Sequence, residues 1–208
     1  MIVLGLTGSL AMGKSTAAKM LIRMGLPLHD SDAEVHRLMS PGGAALADVE
    51  AAFPGIVADG AVDRRRLGAI VFQNPQALRH LEEILHPKVR AATLEFVKRQ
   101  RRARRDIAVL DIPLLFETGG QHLCDAVIVV TSPAFLQQAR ALSRAGMTAQ
   151  RLDAIRQRQM PEWEKCRQAD FVVQTGRAKG YTYRALKRIV RDLRRRSLNT
   201  DKRDSDFA

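Results

Sequence analysis

Cysteine is nearly missing: two in 208 residues, Cys124 and Cys166, far apart in the chain. Neither belongs to a C-x-x-C or other metal-spaced cluster, which argues against a disulfide scaffold and a structural zinc site. A reducing, cytoplasmic setting is expected, with both thiols as buried fillers. Aromatic residues amount to only 5% and are not interleaved with arginines, a poor basis for stacking bases. No apolar run approaches the roughly 20 residues that a membrane span requires. The opening "MIVLGLTG" has no basic lead and no small-residue cleavage site, so no secretory leader is expected. An N-K-x-D guanine signature is absent as well, which argues against a GTPase.

Positive charge, by contrast, is in excess, at +12. Residues 98–106 hold six positive and one negative side chain, and residues 184–208 hold nine and four. Most of the excess therefore lies in two stretches that read as solvated helix faces and a polar tail. Neither membrane nor specific nucleic acid is expected as a partner.

Short apolar runs alternate with longer helical stretches. "MIVLGL", "LPLHDSD", "IAVLDIPLLFE", "DAVIVVTS" and "ADFVVQTG" read as five strands, the second ending in carboxylates. Ala17, Met20, Leu21 and Met24 recur at helical spacing after the first strand, and Gly25 is a helix stop. Residues 40–60 are polar and punctuated by Gly and Pro. Residues 64–100 form a helical block, residues 134–165 are helical and rich in Arg and Gln, and a basic amphipathic helix closes the chain. The pattern predicts an α/β fold with a parallel sheet covered on both faces.

Between the first strand and the first helix stands Gly8-Ser9-Leu10-Ala11-Met12-Gly13-Lys14-Ser15, which satisfies G-x-x-x-x-G-K-[ST] in full. Its glycines permit a tight turn whose N–H groups converge on an anion, and the helix dipole adds positive potential there. Lys14 is expected to reach the β- and γ-phosphates, Ser15 to ligate Mg²⁺, and Thr16 to add a further phosphate contact. Asp30 and Asp32, at the end of the second strand, suit an acceptor alcohol that must be oriented and deprotonated; Asp30 equally suits a helix cap. Asp111 ends a buried strand and is read as a ligand on the metal or acceptor side, or as a structural carboxylate. His86-Pro87 reads as a turn closing a helical segment. Arg140 and Arg144, one helical turn apart, either span phosphates or form a solvated face.

These motifs in order resemble the dephospho-coenzyme A kinase family. After the phosphate loop come Asp30, Asp32, Arg37 and Leu38, then "DGAVDRRRLGAIVFQNPQALRHLEEILHPKV", "DIPLLFETG", "QQARALSR" and "QMPEWEKCRQADFVVQTG". The resemblance covers about residues 3–176. It implies a single phosphate-loop kinase domain over 1–208: a core at about 1–32, 106–133 and 168–200, a helical substrate-binding region at about 33–105, and a lid at about 134–167. It further implies ATP-dependent phosphorylation of the ribose 3′-hydroxyl of dephospho-coenzyme A. Lys14, Asp32 and Arg140 would be catalytic, with Arg140 and Arg144 on the lid. His86, Pro87, Asp111, Leu114, Leu115, Phe116 and Glu117 would join Asp30 and Asp32 on the acceptor side. The chain departs from the family at Ser9, Ala11 and Met12, in a loop usually richer in glycine, at Ile155 (often Arg) and at Gln174 (often Asn or Asp). Two other readings remain at this point: another small phosphate-loop kinase, and a nucleic-acid-binding protein switched by ATP.

Overall fold

A computed structural model describes the backbone of residues 1–205, and all of their side chains except Arg158 and residues 197–205. The last three residues of the basic tail lie outside the described residues. The chain divides into two compact units, residues 1–29 with 99–208, and residues 30–98.

In the first unit, β1 (Ile2–Thr7), β2 (Leu28–Asp30), β5 (Ile107–Asp111), β6 (Ala126–Thr131) and β7 (Phe171–Gln174) form one sheet in the order β2-β5-β1-β6-β7. Strand β1 pairs in parallel with β5 and β6, and β6 with β7. All five residues of β5 and all six of β6 are buried, as expected of a sheet covered on both faces. Two aspartates set where strands begin: Asp125 Oδ2 accepts from Val3 N at 2.7 Å, and Asp170 Oδ2 from Val127 N at 2.8 Å.

Helix α1 (Lys14–Arg23) buries Ala17, Ala18, Met20 and Leu21, three of the four predicted core positions; Met24 caps its end, and Gly25 follows at φ 81°. Helix α9 (Lys179–Ser205) adds Leu186, Ile189, Val190 and Leu193 to the same core, against Leu4, Leu6, Ile128 and Val130. Full burial of each such aliphatic side chain is worth about 1.5–3 kcal/mol. Helices α6 (Ala134–Leu142), α7 (Ala149–Arg158) and α8 (Glu162–Gln168) supply the predicted helical stretch as three pieces.

The second unit is helical, with α2 (Ser31–Leu38), α3 (Leu46–Ala52), α4 (Arg64–Gln73) and α5 (Pro75–Arg102). Leu38, Val49, Phe53, Ile56, Leu67, Val71, Leu81 and Leu85 make its core. Residues 40–60, polar and punctuated by Gly and Pro, contain α3 and half of a hairpin, β3 (Val57–Ala58) with β4 (Ala61–Val62). Asp59 and Gly60 turn that hairpin with φ 53° and 75°, the two left-handed residues of a two-residue loop. The block 64–100 is two helices, because Asn74 caps the second through bonds from Gln76 N and Ala77 N, and Pro75 occupies its first position.

Cys124 is largely buried, and that burial, followed by the charges of Asp125 and Asp170, pushes its thiol up to about 12 from an ordinary 9.0. The folded state thus favours the neutral thiol. Its contribution is complete below the unfolded value and is lost as pH rises toward the folded one. In denaturant titrations, the stability advantage of the wild type over Cys124→Ala should therefore shrink as pH rises above about 9. A difference independent of pH up to 10 would contradict the assigned burial.

Candidate active site

The loop between β1 and α1 is shaped by close approach to the sheet. A Cβ on Gly8 would lie 2.6 Å from the Val130 carbonyl oxygen, and one on Gly13, which has φ 88°, would lie 2.8 Å from Thr175 Oγ1. Ala11 adopts φ 62° although it has a Cβ, a conformation that costs an L-residue about 1–2 kcal/mol. Its buried methyl packs with Ala141 and Leu152, which offsets part of that strain. So the departure from glycine at Ala11 is real strain, held by packing.

Gly13 caps α1 without a side chain, and the Gly13, Lys14 and Ser15 amides have no acceptor among the described residues. Those N–H groups are the orphan donors of a helix N-terminus, where anions bind. Lys14 Nζ reaches back to Asp111 Oδ1 at 2.5 Å, and the Asp111 side chain is 5% exposed. The two predicted residues meet across 97 positions of sequence. Ser15 and Thr16 are exposed. Among the described residues no group of three or more His, Cys, Asp or Glu could hold a metal. A hydroxyl and one carboxylate nonetheless fit Mg²⁺, which commonly draws its remaining oxygens from water and substrate phosphates.

The other face of the loop is held by residues that have no assigned role in the sequence analysis. Ser9 Oγ donates to Glu162 Oε2 at 2.6 Å, and Leu10 N to Gln159 Oε1 at 3.3 Å. Gln137 Nε2 donates to Leu10 O at 2.9 Å and is itself held by Arg156, whose Nη2 donates to Gln137 Oε1 at 2.8 Å. Arg156 is thus engaged where the neighbouring Ile155 could not be. Thr175 Oγ1 donates to Met12 O at 2.6 Å. Arg140 Nη2 donates to Thr175 O at 3.0 Å, and its Nη1 lies 3.4 Å from both Ser132 Oγ and Thr175 Oγ1. Arg140 is therefore anchored at the ends of β6 and β7.

Several expectations are corrected. Arg144 does not share a helical face with Arg140: α6 stops at Leu142 with Ser143 as its cap, and Gly146 at φ 72° turns the chain. Glu117, expected at the acceptor, faces helix α8, where its Oε1 accepts from Met160 N at 2.9 Å and lies 2.8 Å from Lys165 Nζ. Leu115 and Phe116 are core residues packed with Val127 and Val129, and only Leu114 is exposed. In the second unit, Asp30 caps α2 by accepting from Asp32 N and Ala33 N at 2.9 and 3.0 Å. Asp32 accordingly stands exposed in the first turn of α2, not on a strand. His86 and Pro87 do not end a helix; α5 runs through Pro87, leaving both residues exposed.

Lys165 is fully buried, and its ion pair with Glu117 fastens α8 to the segment after β5. Neither Glu117 Oε2 nor Lys165 Nζ has a hydrogen-bond partner among the described residues, so the two are held as an ion pair at 2.8 Å rather than by a well-directed hydrogen bond. Lys165→Met should cost about 3–5 kcal/mol of stability, and adding Glu117→Leu should recover much of the loss. Urea denaturation of the single and double variants checks this; a Lys165→Met cost below about 1 kcal/mol would count against the pair.

A dephospho-CoA kinase family model matches residues 2–179. The chain is 62% identical to the dephospho-CoA kinase of Paramagnetospirillum magneticum over 163 residues, 78% of this chain and 77% of that one. It is 54% identical to the dephospho-CoA kinase of Mesorhizobium japonicum over 194 residues, 93% of this chain and 98% of that one. Among solved structures it is similar to a Thermus thermophilus protein, with TM-score 0.79 and 33% identity, covering 92% of this chain and 97% of that one. It is also similar to the dephospho-CoA kinase of Campylobacter jejuni, with TM-score 0.71 and 25% identity, covering 93% and 97%. With its phosphate loop complete and Lys14 paired to Asp111, the chain belongs to the dephospho-CoA kinase family.

Proposed function

We propose that this chain transfers the γ-phosphoryl group of ATP to the ribose 3′-hydroxyl of dephospho-coenzyme A, giving coenzyme A and ADP. The observation that carries the reading is the Lys14–Asp111 pair behind a row of acceptor-free amides, in a chain of this family. The Gly13, Lys14 and Ser15 N–H groups would bind the phosphates from their backbone side, with Gly8, Ser9, Leu10, Ala11 and Met12 shaping the cradle and Thr16 adding a contact. Lys14, close enough to a carboxylate to be held in place, would extend its ammonium to the β- and γ-oxygens. Ser15 and Asp111 would hold Mg²⁺, which would supply neutralisation of the phosphate charge.

Asp32 would align the acceptor hydroxyl and take its proton as the O–P bond forms and the bond to ADP breaks. An alcohol is too weak an acid to ionise beforehand, so the carboxylate serves mainly by position. Asp30, occupied as a cap, supports the turn that presents Asp32. Residues 30–98, with His86 and Pro87 exposed on α5, form the acceptor-binding region on this reading, and Leu114 adds an exposed apolar contact. Residues 134–167 act as a lid whose closure excludes water. A guanidinium carries five N–H donors, so Arg140 can keep its bond to Thr175 and still face the transferred group, while Arg144 contacts phosphate from the turn after α6. A reducing, cytoplasmic setting suits a chain whose two cysteines are unpaired; no helix among the described residues is long and apolar enough to cross a membrane.

Steady-state assays with ATP, Mg²⁺ and dephospho-coenzyme A test the assignment. Lys14→Ala should lose at least about two orders of magnitude in kcat with the fold retained. Asp32→Asn should lower kcat by about 10²-fold or more, with a smaller change in KM for ATP. Unchanged turnover in either variant, or product formed from another alcohol but not from dephospho-coenzyme A, would overturn the reading.

A further inference from the structure

A strongly basic surface of the molecule has no part in the proposed reaction. A groove of about 590 Å³ runs along α9, lined by Arg184, Lys187, Arg188, Arg191, Arg194 and Arg195 over a floor that includes Met24 and Val190, with Tyr183 at one side. The six cations recur at intervals of three, one, three, three and one residues, so they share one face of the helix. From Arg184 to Arg195 the row is about 16 Å long. Among the described residues, no acidic side chain lines the groove. Among the described residues, only Arg191 and Arg194 of the row have carboxylate partners, Asp192 at 3.3 Å and Asp106 at 2.5 Å. Like charges three and four residues apart destabilise a helix, so local stability does not account for the row.

We propose that this groove binds single-stranded nucleic acid without sequence preference, its phosphates on the arginines and a base against Tyr183. The shape favours this over the alternatives. A concave channel with an apolar floor admits one strand, which needs a charged track and a platform for bases. A duplex is convex and would meet only the rims. A membrane-surface helix would need to place its apolar face in lipid, but Leu186, Ile189, Val190 and Leu193 are buried in the core.

Fluorescence anisotropy with labelled oligouridylate, on the full chain, tests the proposal. If all six cations contact phosphates, log K should fall against log[salt] with a slope of about −4.2. The variant Arg184→Gln/Arg188→Gln/Arg195→Gln removes three cations that lie outside the proposed kinase site. Its slope should drop to about −2.1 and its affinity at low salt at least tenfold, while turnover of dephospho-coenzyme A stays unchanged and shows that the protein is folded. The matching triple lysine variant should retain most of the binding. Absence of binding at low salt, an unchanged slope in the glutamine variant, or tighter binding to duplex or to vesicles of anionic phospholipid would overturn the proposal.

Discussion

The contact between Lys14 and Asp111 joins the two halves of the candidate chemistry: a loop that can hold phosphate and a strand end that can hold a cation. It exists because β1 and β5 are parallel neighbours with Leu6 opposite Asp111. The loop leaving β1 and the residue ending β5 thus emerge at the same edge. An ammonium and a carboxylate at 2.5 Å, both largely shielded from water, attract each other far more strongly than a surface pair. That pairing orders the lysine before any phosphate arrives, which reduces what must be ordered later.

Around this pair the protein keeps a strained loop in shape from outside. Ala11 in the left-handed region, Gly8 pressed against β6 and Gly13 against Thr175 are features that a loose connection would lose. Glu162 and Gln159 on one side, Gln137 on another and Thr175 beneath hold the loop by hydrogen bonds to Ser9, Leu10 and Met12. Strain of this kind persists only where its surroundings over-determine it. The turn between α7 and α8 reaches the segment after β5 through Met160, and α8 reaches it through Lys165. A single short stretch therefore braces both the phosphate loop and the chain that follows Asp111.

The parallel sheet and the phosphate loop were legible in the sequence, because buried strands read as short apolar runs and the loop's chemistry is local. Asp30 as a cap was legible for the same reason. The status of Asp32 was not: in Asp30-Ser31-Asp32 the first carboxylate starts the helix, so the second is carried into its first turn. Pro87 misled because a proline usually marks a boundary, whereas Leu81 and Leu85, packed in the second unit's core, fix the turn of α5 just before it. Gln159, Glu162 and Lys165 were present in a quoted motif, but their partners lie 48 to 153 residues away. Only the fold brings such residues together. The hairpin at Asp59-Gly60 did carry a local signal, the Asp-Gly pair, within a stretch whose Gly and Pro content drew attention away from it.

The most direct measurement is phosphorus NMR of the products formed when the purified chain meets ATP, Mg²⁺ and dephospho-coenzyme A. A new monoester resonance assigned to the ribose 3′ position, rising as the γ-phosphate of ATP disappears, is the result predicted. Phosphate released to water with the ribose unmodified, or a monoester at any other position, would contradict the account.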